Sequence, residues 1–146
     1  MKVTKILVAG LVVAAGMAFA EEERTDPNAK EREVLMEMVG KNMGVLGGMA
    51  SDKAPYDAAA AEAAKAGLIE ASAKIEETFT TQGNPDPVSE AKPEIWSSWD
   101  DFLKKAGALN AAATAADVSS LDAVKASVGT LGGACKDCHT TYRVQK

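Results

Sequence analysis

Five consecutive residues near one end of the chain, Cys135-Lys136-Asp137-Cys138-His139, constrain it more than any other stretch. They contain both cysteines and the single histidine of a 146-residue sequence. C-x-x-C-H is the spacing of covalent c-type heme attachment, in which two thiols meet the vinyl groups along one porphyrin edge and the next residue's imidazole faces the iron. Other uses of the same residues fit less well. A structural zinc site needs four nitrogen or sulfur ligands, and no second Cys/His pair exists to complete one. A thioredoxin-type redox pair expects a βαβ setting, whereas the residues around Cys135 read as helix. A disulfide across two intervening helical residues is strained and leaves His139 without a role.

The first twenty residues read as a secretory signal peptide. Lys2 and Lys5 give a basic start, Ile6 to Gly16 is apolar, and Ala18-Phe19-Ala20 forms a small-x-small cleavage site. The apolar run is shorter than the roughly 20 residues a membrane-spanning helix needs, so stable membrane insertion is not expected. Residues 21–146 then form one domain, exported to the periplasm, where c-type heme is attached in bacteria. The whole chain carries 16 basic and 21 acidic groups, net −5; loss of Lys2 and Lys5 with the first twenty residues takes the mature chain to −7. Such an acidic protein is a poor nucleic-acid binder. Its acids either steer it toward a basic redox partner protein or keep it soluble.

Hydrophobic periodicity predicts four helices and no strand. Asp26-Pro27 opens the first, with Asp as cap and Pro at the first helical position, and it runs to about Ala50. Its glycines at 40, 44, 47 and 48 suggest close approach by a neighbouring helix or a flat ligand. The second starts near Tyr56-Asp57 and continues to about Thr80, with a small-residue stripe through Ala60, Ala64, Leu68, Ala71, Ile75 and Phe79. That stripe is either the face of a homodimer through the first two helices or ordinary packing within the chain. Thr81 to Pro93 holds three of the five prolines and suits a crossover or heme-covering loop. The third helix opens at Pro93-Glu94 with a stripe through Ile95, Trp99, Phe102, Ala106 and Leu109. The fourth begins after Asp117 and carries Leu121, Val124, Val128, Leu131, Cys135, Cys138 and Tyr142 on one face. The expected fold is all-α, an antiparallel four-helix bundle with the heme clamped by the last helix.

At these residues the chain resembles the class II cytochromes c, which comprise the cytochromes c-prime and their low-spin relatives and carry the heme motif on the last helix. The shared features are Arg32 and Met36, Ala54-Pro55-Tyr56-Asp57, Pro93-Glu94-Ile95-Trp96, Cys135 to His139, and Tyr142-Arg143. The resemblance implies one heme c with thioether bonds to Cys135 and Cys138 and His139 as proximal ligand. It implies Arg32 at a heme propionate and Arg143 near the proximal imidazole. Met36 matches the position facing the distal side of the iron, and the run from Gly40 to Gly47 resembles the low-spin, methionine-ligated members. A thioether there favours ferrous iron and raises the potential. The alternative is a methionine that only fills the core.

Two functions follow from that choice. With His139/Met36 ligation the chain is a periplasmic carrier of single electrons. Without it, the chain is a five-coordinate, c-prime-like protein that binds nitric oxide or carbon monoxide. Trp96 and Trp99 either pack on the heme or belong to the ordinary core, and Tyr142 is expected beside the heme edge. Enzymic chemistry wants an acid or base over the iron. The histidine is committed and no acidic pair is obviously placed there, so the reading is an electron-transfer protein rather than an enzyme.

Overall fold

The computed structural model describes residues 24–145; the signal-peptide segment lies outside the described residues. Helix α1 spans Pro27–Ala50. Asp26 caps it, its carboxylate accepting from Ala29 N at 2.9 Å, with Pro27 at the first turn where no amide donor is needed. Ser51 ends it by bonding back to the Gly47 carbonyl, and Asp52 turns the chain at φ 57°. Asp57 then caps α2, Ala58–Ala73, by accepting from Ala60 N.

The second predicted helix is in fact two. Asn110 Nδ2 donates to the Ile69 carbonyl and to Ser72 Oγ, while Ser72 Oγ donates to the Leu68 carbonyl. Side chains that take ladder carbonyls loosen the following turn. The helix is interrupted at Lys74, whose backbone stays right-handed at φ −88°, ψ −5°, and α3 resumes over Ile75–Phe79. The third predicted helix is also divided, into α4, Glu94–Ser97, and α5, Trp99–Ala115. Ser98 between them sits at φ −129°, ψ 44°, outside the helical region. This break turns Trp96 and Trp99 to different neighbours, so Trp99 is half-buried instead of lying on the fully buried Ile95–Phe102 stripe. The last helix, α6, spans Leu121–Tyr142 under a Ser120 cap.

The long helices pack in the cyclic order α1, α2, α5, α6, which gives each an antiparallel neighbour on either side. Leu46, Leu68, Ile95, Leu131, Val118 and Val124 are fully enclosed between them. The small stripe of α2 serves this core, with Ala61, Ala64, Leu68 and Ala71 all buried. Helix α1 also leaves Val34, Met38 and Val45 exposed. The helix-one glycines do not mark a helix crossing. A Cβ added at Gly40, Gly44 or Gly47 meets nothing within 4 Å, whereas one at Gly67 of α2 would lie 2.6 Å from the Asn42 side chain. The closest helix approach is therefore made on α2.

The segment between α3 and α4 ties both ends of the described chain together. Asp86 accepts from Thr25 N and Asp26 N, and Asp26 accepts from Asn84 N. At the other side an isolated antiparallel bridge pairs Ala91 with Arg143, closed by Lys92 N to Tyr142 O and Val144 N to Glu90 O.

Candidate heme site

Cys135, Cys138 and His139 stand at i, i+3 and i+4 on α6, hence on one helix face. All three line a cleft of about 640 Å³ and are half-buried, a size within the range of small-molecule sites. Leu131, one turn before Cys135 and fully buried, anchors that face to the core. Both thiols are free. Burial pushes them up, Cys138 to about 11, so they stand as neutral S–H groups. Burial also lowers the His139 pKa, helped by the Arg143 charge and opposed by Glu90, which keeps the imidazole neutral with a lone pair available to a metal. Among the described residues no group of three or more His, Cys, Asp or Glu gathers as a cation site.

The facing wall belongs to α1. Met36, Gly40 and Met43 line it at one-turn spacing. Gly40 on this wall and Gly132 on the α6 wall both border the cleft, and a Cβ at either meets no atom within 4 Å, so both glycines leave room for a flat ring. Phe79 and Phe102 close the floor.

Arg32 also reaches the wall, 5% exposed. Its terminal nitrogens donate to the Thr81 and Gln82 carbonyls at 3.0 and 3.2 Å. Its guanidinium carbon lies 5.2 Å from the Trp96 ring centroid and 5.7 Å from that of Phe79. Nε is buried without a hydrogen-bond partner, an unsatisfied donor on the wall of an apolar cleft. Trp96 does not line the cleft. It backs Arg32, with its indole N–H donating to the Phe79 carbonyl at 2.7 Å. Trp99 is away from the cleft too, stacked on Phe102. Arg143 is exposed at the rim and pairs with Glu90 at 2.6 Å.

Several wall residues were not placed there by sequence reasoning. Met43 is legible afterwards as the residue two turns beyond Met36. Lys105 lines the cleft and pairs with Asp137, inside the cysteine motif, at 2.6 Å; these residues are 32 positions apart, and no local pattern announces the pair. Two carboxylates, Glu33 and Glu37, also line the α1 side of the cleft near Met36. Glu33 is engaged by Arg24.

Two thiols and a neutral imidazole on one wall, open glycine surfaces on both, and an unpartnered buried guanidinium N–H together fit a covalently attached heme. Comparison with known proteins agrees. A family model described as Cytochrome C' matches residues 28–143. A cytochrome c-556 of Agrobacterium tumefaciens is 39% identical over 123 residues, covering 80% of this chain and 97% of that protein. A cytochrome c' of Rhodopseudomonas palustris is 32% identical over 152 residues, covering 100% of this chain and 99% of the relative. The solved cytochrome c' from Rhodobacter spheriodes superposes with a TM-score of 0.75 at 30% identity, over 82% of this chain and 96% of that one. The chain belongs to the cytochrome c' family, four-helix-bundle proteins with a covalently bound heme c.

Proposed function

We propose that this protein carries single electrons in the periplasm, exchanging them with redox partner proteins, with His139 and Met36 as the axial ligands of its heme. The observation that carries the reading is the presence of Met36 on the α1 wall of the cleft that Cys135, Cys138 and His139 line from α6. Bound heme supplies the ferric/ferrous couple. The chain's residues supply the rest. Cys135 and Cys138 would hold the group covalently through their thiols. His139 offers its neutral imidazole, and Met36 a soft, uncharged sulfur that favours the reduced state. Arg32 Nε would be the cationic donor for a propionate, Arg143 stands beside the His139 imidazole whose charge it opposes, and Trp96 acts through Arg32 by holding its guanidinium in place.

Met43 is the competing thioether. Seven residues separate it from Met36, about 10.5 Å along the helix, so one iron position does not serve both equally. An absorption spectrum of the holoprotein decides. The oxidised protein is expected to show a sulfur-to-iron charge-transfer band that Met36→Ala removes and Met43→Leu keeps. Absence of the band, with a reduced spectrum that changes under carbon monoxide at neutral pH, would identify a five-coordinate gas binder instead. A homodimer through the first two helices would use Val34, Met38 and Val45 of α1, because the small face of α2 is already buried within the chain; sedimentation of Val34→Lys against wild type tests it.

A further inference from the structure

The aromatic side of the cleft holds groups that neither heme attachment nor axial ligation uses. Trp99 stacks on Phe102, centroids 5.5 Å apart and rings inclined at 29°. Phe102 meets Tyr142 edge to face, again 5.5 Å between centroids. Tyr142 is buried on the cleft wall, one turn after Cys138, whereas Trp99 is half-buried on α5. The three rings form a continuous column from the surface of α5 to the cleft.

We propose that this column is a radical relay, in which an oxidising equivalent captured at Trp99 passes across Phe102 to Tyr142 while the Tyr142 hydroxyl proton moves to Asp101. The captured oxidant is a solvent-borne one-electron radical of the azide or carbonate class, which gains an electron and becomes its anion. The Trp99 indole radical cation then regains an electron and is neutral again. Tyr142 loses that electron, its O–H bond breaks, and the proton joins Asp101 Oδ2. The products are a neutral tyrosyl radical and a carboxylic acid, and exposed Asp101 passes the proton to water.

Surroundings select one tyrosine and one tryptophan from the two of each in the sequence. Oxidising a phenol expels its proton, so a base must be in hydrogen-bond contact. Tyr142 donates to the Asp101 carboxylate at 2.7 Å; Tyr56 donates to the Val118 backbone carbonyl at 2.8 Å, which does not take the proton. Trp96 has the Arg32 guanidinium 5.2 Å from its centroid, and that charge opposes a second positive charge on the ring. Trp99 stacks on neutral Phe102.

The test uses ferric holoprotein grown with ring-deuterated or ordinary tyrosine, exposed to a pulse of azide radicals, freeze-quenched and read by electron paramagnetic resonance. Wild type is expected to convert a tryptophan radical into a tyrosyl radical whose hyperfine pattern narrows on deuteration. Trp96→Phe keeps that tyrosyl signal, and Trp99→Phe and Tyr142→Phe lose it. Asp101→Asn retains a hydrogen-bond acceptor but no base, and lowers the tyrosyl share by about tenfold or more. A wild-type tyrosyl yield in Trp99→Phe or Asp101→Asn, or its loss in Trp96→Phe with retention in Trp99→Phe, overturns the relay.

Discussion

The two walls of the cleft are built on different principles. The α6 wall carries its chemistry in five consecutive residues, and helical spacing alone puts Cys135, Cys138 and His139 on one face. The α1 wall carries two methionines, a glycine and two glutamates within eleven residues, and nothing local says which sulfur matters. On α6 the reactive groups are rare residue types at a diagnostic spacing. On α1 they are common core residues, and their meaning depends on what stands opposite. A wall of the first kind loses its chemistry when its few reactive residues are replaced; a wall of the second kind re-tunes.

The largest expected effect breaks the first wall. Cys135→Ala/Cys138→Ala should lose all covalently bound heme, read by heme stain on a denaturing gel, while Met36→Ala and Met43→Leu on the opposite wall retain it. Retention of bound heme by the double cysteine variant would remove the asymmetry.

Next in size is packing, where the walls should be equal. Leu131 on α6 and Leu46 on α1 are both 0% exposed. Leu131→Ala and Leu46→Ala should each cost about 3 kcal/mol in denaturant unfolding of the holoprotein. Equal losses would show that the walls differ in chemistry and not in burial.

A smaller effect concerns the support behind the α1 wall. Arg32→Met keeps an unbranched apolar side chain but removes the guanidinium from over Phe79 and Trp96 and two charge-assisted bonds to the Thr81 and Gln82 carbonyls. A cost of about 2 kcal/mol is expected, with faster hydrogen exchange confined to residues 81–92. Unchanged exchange there would show that Arg32 does not hold this segment.

The smallest is acid sensitivity. Where the 84–86 segment meets the start of α1, hydrogen bonds hold two carboxyls below their ordinary value of 3.8: Asp26 through Asn84 N first and then Ala29 N, Asp86 through Asp26 N first and then Thr25 N. A carboxyl lowered on folding contributes stability above its unfolded pKa and loses it as pH falls through the folded value. Stability should therefore fall below about pH 4, and Asp86→Asn should flatten that acid limb while leaving the heme spectrum unchanged. An acid limb as steep as wild type would mean that other groups control it.

Much of the bundle was legible in the sequence because caps and periodicity are local. Asp26-Pro27, Asp57 and the stripe of the last helix all appear where they were read. The breaks at Lys74 and Ser98 were not legible. The first arises when Asn110, on another helix, takes the Ile69 carbonyl, a contact across 41 residues with no periodic signature. The glycines of α1 suggest either a helix crossing or a flat ligand, and sequence alone does not choose; a Cβ at Gly40 meets nothing within 4 Å and Gly40 borders the cleft, which removes the crossing and leaves the ligand.

By itself the sequence determined the cofactor chemistry, the wall that performs it and the all-helical bundle around it, because a thiol pair with an adjacent imidazole and a 3.6-residue period are local facts. Only the tertiary structure decided which methionines face that wall, that Arg32 leaves one buried N–H while bonding the 81–82 carbonyls, that Trp96 backs Arg32 instead of the cleft, and that Tyr142 rests on Asp101. Those outcomes depend on the rotation of one helix against another, which is set by the packing of the whole core and not by any one stretch of chain.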